Sequence, residues 1–84
     1  MSDQPRLSRM FRLQWEEAQG AYVLLYPEGM VKLNTSAAEI LKLCDGRHAL
    51  GEIVAMLEQA FSTGGLTASV KDFVAIAQQR GWLV

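Results

Sequence analysis

The sequence predicts an α+β fold, a three-stranded antiparallel meander followed by three helices. Three observations carry this. Apolar residues alternate with a period of two, or run as short β-branched and aromatic stretches, over the first third of the chain. Apolar stripes with a period near 3.6 take over after Asn34. The two patterns do not interleave, so strands and helices are segregated along the chain. With 84 residues the chain makes one domain, a size that buries about 60 to 65 % of the unfolded surface around one small core.

Residues 1–8 are polar, carry Pro5 and show no sustained period; they are expected to form a loose arm, leaving residues 9–84 as the domain. Phe11, Leu13 and Trp15 alternate with Arg12, Gln14 and Glu16, the pattern of a half-buried strand. Glu17 to Gly20 supplies a turn. Ala21 to Tyr26 is apolar, aromatic and partly β-branched, as a central strand requires. Pro27-Glu28-Gly29 is a second turn, because proline presets one φ angle and glycine accepts an unusual one. Met30 to Leu33 is the third strand. Ser36 followed by Glu39 fits a capping box for the first helix, with Thr35 and Asn34 as rival caps. Ala37, Ile40, Leu41 and Cys44 share its apolar face, and Gly46 is the expected stop. The second helix, from about Ala49 to Phe61, has the stripe Ile53, Val54, Leu57, Ala60 and Phe61. Ser62 to Gly65 breaks it. Thr67 or Ser69 caps a third helix with the stripe Val70, Phe73, Val74 and Ala77. Gly81 ends that helix, and Trp82-Leu83-Val84 is an apolar tail expected to fold back on the core.

Composition narrows the function. Half the residues are apolar and a fifth are charged, a globular balance. The net charge of −1 and a pI near 5.7 argue against a nucleic-acid partner, whose phosphates call for a basic face. The single cysteine, Cys44, cannot form an internal disulfide, which suits a reducing cytoplasm. Neither a signal-peptide core nor a run able to span a bilayer is present, so a cytoplasmic domain is expected. No internal repeat or low-complexity segment occurs.

Little supports catalysis. A zinc site needs three or four ligands, and this chain has one cysteine and one histidine. Cys44 reads as a small core residue and His48 as a loop or cap residue; they straddle Gly46, and a Cys–His pair also needs a third, orienting group. Glu16 and Glu17 are adjacent at a strand end and point to opposite faces. Gly64-Gly65 lacks the lysine and spacing of a phosphate loop. Trp15 and Trp82 are not interleaved with bases. No cofactor and no metal are expected.

What remains is an edge. In a meander the outer strands each keep one free row of N–H and C=O groups, which proteins usually protect. Met30-Val31-Lys32-Leu33 carries one charge. Its period places Val31 and Leu33 on one face, toward the helices, and Met30 and Lys32 on the other. A peptide laid beside it would gain backbone hydrogen bonds, with pockets between strand and helix reading alternate side chains. A blunted edge, or one paired with its own copy in a homodimer, are the alternatives.

The stretch Tyr22–Gly46 also resembles the PqqD family, small proteins of pyrroloquinoline quinone biosynthesis. The residues that carry the likeness are Val23-Leu24-Leu25-Tyr26-Pro27-Glu28-Gly29, Leu33-Asn34, Ala38, Ile40-Leu41, Leu43-Cys44-Asp45-Gly46 and Ile53-Val54, and it extends from about Arg9 to Val84. The resemblance implies a winged helix-turn-helix-like fold and a peptide chaperone, a recognition element that binds the leader of a ribosomally made precursor peptide. It also implies presentation of that precursor to a radical S-adenosylmethionine enzyme, which joins a glutamate and a tyrosine within it. Carried onto this chain, the leader would add as a strand along Met30, Val31, Lys32, Leu33 and Asn34, with Val70, Phe73, Val74 and Ala77 as candidate helix contacts. Two other readings stay open: a winged-helix DNA-binding protein, and a structural homodimer without a peptide partner.

Overall fold

Three strands and then three helices follow one another along the chain: β1 (Arg12–Glu16), β2 (Ala21–Tyr26), β3 (Gly29–Lys32), α1 (Thr35–Lys42), α2 (Leu50–Ala60) and α3 (Thr67–Gln79). The structure, a computed structural model, describes residues 4–84. The sheet has the order β1-β2-β3, antiparallel throughout, which is the predicted meander. Phe11 lies just outside β1 and packs against Tyr26 with the rings tilted, centroids 5.4 Å apart.

Register explains the burial. Leu13 faces Leu24, Trp15 faces Tyr22, and Leu24 faces Val31, so these side chains share the face that meets the helices. Leu24 is fully buried at its centre, worth about 1.5 to 3 kcal/mol on its own. Arg12, Gln14 and Glu16 line the other face, as their alternation requires. Val23 also points that way yet is fully buried. Its register neighbours are Gln14 and Lys32, long side chains whose stems can shield it.

The helix ends differ from the sequence expectation in instructive ways. Of the three rival caps for α1, Asn34 is the one used: its Oδ1 accepts the Ala37 N–H at 2.8 Å. The Ser36–Glu39 box does not form, and Glu39 instead pairs with Lys42 at 2.9 Å. A carboxylate does reach back at α2, where Glu52 Oε1 accepts the Ala49 N–H at 2.8 Å. Neither Thr67 nor Ser69 caps α3. The Leu66 N–H goes to Glu58 Oε2 at 3.0 Å, which ties the end of α2 to the start of α3. Gly46 does not terminate α1, which gives out at Leu43; with φ +82° it turns the chain so that its N–H reaches Pro5 C=O at 3.1 Å. Gly81 does what was expected. At φ +80° it lets its own N–H reach Gln78 C=O (3.1 Å) and the Trp82 N–H reach Ala77 C=O (2.8 Å), a Schellman closure.

The core gathers Leu24, Leu33, Ile40, Leu41, Cys44, Ile53, Val54, Leu57, Val70, Val74 and Leu83, among others. Ala60 and Phe61, expected on the α2 stripe, are exposed, because the helix ends at Ala60 and carries them past the core. Of the residues expected in a loose arm, Met1–Asp3 lie outside the described residues. The rest is tied down. Pro5 is buried, Arg6 exchanges two backbone hydrogen bonds with Val84 (3.1 and 2.8 Å), Leu7 N–H reaches Cys44 C=O (3.1 Å), and Ser8 N–H reaches Trp82 C=O (2.8 Å). The apolar tail explains this: Leu83 is core, and the arm pairs with it (Leu7 opposite Leu83). No helix among the described residues is long and apolar enough to cross a membrane.

Candidate functional site

The site begins with backbone direction on β3. Leu33 N–H donates to Tyr22 C=O at 3.0 Å. Because antiparallel partners alternate in the sense of their hydrogen bonds, Val31 also turns its N–H and C=O toward β2. Met30 and Lys32 turn theirs outward. β3 is the last strand of the sheet, and among the described residues nothing donates to or accepts from these four outward groups. The carboxyl-terminal tail pairs with the arm and not with this edge.

Side chains of the expected strand site, Met30 to Asn34, divide into three sets. Leu33 belongs to the core and Val31 packs at its margin. Met30, 47 % exposed, and Lys32 stand on the opposite face. Asn34 spends its side-chain oxygen on capping α1. On α3, Val70, Val74 and Ala77 are buried core residues, and Phe73 alone sits half-buried at the margin. Helical spacing sets Ser69, Phe73 and Ile76 along one flank of that buried stripe. Ile76 is 48 % exposed. It lies off the buried stripe, and an apolar residue at that helical position was the sequence signal for it.

A cleft of about 320 Å³ opens on this same flank. It is bounded by Thr35 and Ser36 where β3 runs into α1, by Leu57 on α2 and Phe61 just past its end, and by Leu66 and Ser69 at the start of α3. Phe61, 51 % exposed at its mouth, escaped the sequence reading because it continues the core periodicity of α2. The cleft thus meets the chain just beyond β3 at Thr35 and Ser36 and the start of α3 at Leu66 and Ser69.

The reactive residues are placed otherwise. Cys44 is buried, its thiol donates to Ile40 C=O at 3.3 Å, and burial, helped by the charge of Asp45, pushes the thiol up to about 12. Such a thiol carries almost no nucleophilic thiolate near neutrality. His48 Nε2 lies 3.8 Å from Asp45 Oδ2 in the loop before α2. Among the described residues no three His, Cys, Asp or Glu side chains gather as a metal ion would need. Neither α2, with Glu52 and Glu58, nor α3, with Lys71 and Asp72, offers DNA a basic helix.

Comparison with known proteins bears on the same segment. The family model for Coenzyme PQQ synthesis protein D (PqqD) matches residues 21–83. The chain belongs to the PqqD family. Its PqqD relatives include a protein named PqqA binding protein from Methylococcus capsulatus, 48 % identical, with 99 % of this chain and 94 % of the relative covered. The protein of the same name from Azotobacter vinelandii is 49 % identical, with 99 % and 91 % covered. Among solved structures, the solution NMR structure of the PqqD truncation of Methylobacterium extorquens PqqCD superposes with a TM-score of 0.71. It is 34 % identical and covers 95 % of this chain and 87 % of that one. That PqqD is described as a functional, stand-alone recognition element for ribosomally synthesised and post-translationally modified peptides. The βββααα order of the PqqD fold is the one described above.

Proposed function

We propose that this protein binds the precursor peptide of pyrroloquinoline quinone biosynthesis and presents it to the radical S-adenosylmethionine enzyme that modifies it. The observation that carries the reading is the outward backbone row of Met30 and Lys32, left open at the edge of the sheet. Relatives named for binding PqqA, at about half identity over nearly the whole chain, agree with it. The leader adds as a fourth strand, and alternate side chains turn toward Val31, Phe73 and Ile76. An apolar residue near one end of the added segment enters the cleft beside Phe61 and Leu66. Binding raises the concentration of the peptide beside the enzyme without any chemistry by this protein.

The energetics suit a transient complex. Four ladder bonds at roughly 1 kcal/mol each and one or two apolar anchors at roughly 2 kcal/mol each, less the cost of ordering the peptide, approach the roughly 8 kcal/mol of a micromolar complex. Two copies pairing along β3 would occupy the same row, so a homodimer of that kind competes with peptide. Amide hydrogen exchange with and without the precursor tests the reading. Protection gained at Met30 and Lys32, whose N–H groups are open in the free protein, is the expected result. Protection confined to other segments would refute it.

A further inference from the structure

All five arginines of the chain are exposed, and the fold assembles them around the amino-terminal arm. Arg6, Arg9 and Arg12 follow one another along the arm and into β1. Arg47 lies two residues beyond Asp45, the bridge partner of Arg6. Arg80 sits over the Trp82 ring at 5.6 Å, and the Trp82 carbonyl accepts the Ser8 N–H. Among the described residues none of the five has a carboxylate partner: the ion pairs are Lys42–Glu39 and His48–Asp45. Asp45, the acid nearest to them along the chain, accepts the Arg47 backbone N–H at 2.9 Å. The other basic residues are three lysines, against nine acids in the chain, of which Asp45 lies beside the arginines, so positive charge still dominates along the arm.

We propose that this face docks a folded protein whose surface presents carboxylates. The inference rests on the peptide-presentation reading, under which that partner is the modifying enzyme. Two adjoining clefts give the face its relief, one of about 420 Å³ bordered by Arg6 and Arg9, the other of about 290 Å³ bordered by Arg9 and Arg12. Met10, 58 % exposed, borders the second of them. Arginine and methionine are among the residues enriched in protein interfaces, and the guanidinium fork binds a carboxylate through two parallel hydrogen bonds. The second cleft is also bordered by Tyr26 and Pro27, at the turn into β3. A peptide strand antiparallel to β3, the commoner arrangement, leaves the sheet at that end. From beside β3 to β1 is three strand spacings, roughly 14 Å, a distance that about five extended residues span. A partner on the arginine face therefore meets the downstream part of the peptide as it emerges. An apolar residue inside the patch and the acidic remainder of the chain favour a protein over nucleic acid.

The test uses the double variant Arg9→Glu/Arg12→Glu, with Arg9→Ala/Arg12→Ala as the milder form. Affinity is measured for the precursor peptide and, with and without peptide, for the modifying enzyme, at about 0.05 and about 0.5 M salt. Peptide affinity should stay within about twofold of the parent, while enzyme affinity falls about tenfold at low salt and the difference shrinks at high salt. Unchanged enzyme affinity overturns the proposal, as does an equal loss of peptide affinity, which would make the arginines part of the peptide site. Micromolar binding of a DNA duplex at low salt that the variant abolishes would assign the face to nucleic acid. A parent protein that ignores the precursor refutes the peptide reading, while the enzyme measurement without peptide still decides this one.

Discussion

Replacing Met30 with proline isolates the free edge from everything else in the fold. The Met30 N–H points away from β2, so Met30→Pro removes no bond of the sheet, and proline is tolerated on an edge strand whose N–H faces solvent. We expect the variant to fold with a stability change below about 1 kcal/mol. Its effect on an added strand is different. One of four ladder donors and acceptors is lost, at roughly 1 kcal/mol, and the ring pushes the visiting backbone away from its neighbour, weakening a second bond by a similar amount. A total of about 2 kcal/mol corresponds to about a 30-fold rise in Kd, read by calorimetric titration of the precursor. Met30→Ala trims only the side chain on the outer face and should bind nearly as the parent does. Val31→Pro is the opposite case, because the Val31 N–H faces Leu24; it breaks the β2–β3 ladder and should cost about 3 kcal/mol or more of stability. A folded Met30→Pro protein that binds the precursor within about twofold of the parent would refute strand addition at β3.

Other outcomes follow from single contacts. Asn34→Ala loses the α1 cap and should lower stability by about 1 kcal/mol, a fall of about 4 to 8 °C in Tm, whereas Ser36→Ala should leave the melting curve almost unmoved. Phe61→Ala removes an already half-exposed ring, so stability should change little while peptide affinity falls about fivefold, the share of burial still available to it; equal affinity would remove the cleft from the site. Because burial raises the Cys44 thiol from 9.0 to about 12, the folded state keeps a proton that the unfolded chain gives up. Its contribution is complete below about pH 9 and is lost as pH climbs toward 12, at up to about 1 kcal/mol per pH unit after allowance for solvent screening. Urea midpoints at about pH 8 and about pH 10.5 should therefore separate more for the parent than for Cys44→Ala.

The strands and helices were legible because each is a local pattern. Alternation at Leu13–Trp15, the aromatic β-branched run at Ala21–Tyr26 and the stripe Val70–Val74–Ala77 specify element type whatever they pack against. Gly81 was legible too, since a left-handed closure is a property of a few adjacent residues. The cap of α1 was not. Asn34, Thr35 and Ser36 are all competent, and the choice went to the one whose oxygen meets the Ala37 N–H once β3 has set the entry angle. Phe61 misled because periodicity says which face a residue occupies, not whether the core still lies beneath that face when the helix ends. The arm misled because Pro5 to Ser8 have no period of their own; they are held by the tail and the Cys44–Asp45 segment, from the far end of the chain.

The open edge divides in the same way. Sequence alone determined that β3 is short, weakly charged and last in its meander, since the turns on either side of β2 are written in local residues. Only the tertiary structure decided that Met30 and Lys32, rather than Val31 and Leu33, present the open backbone groups, because the register with β2 sets their direction. It likewise decided that the tail pairs with the arm and leaves β3 bare, and that Arg6, Arg9 and Arg12 border two adjoining clefts. Those outcomes depend on contacts between residues far apart in the chain, whose closure is settled only when the core forms.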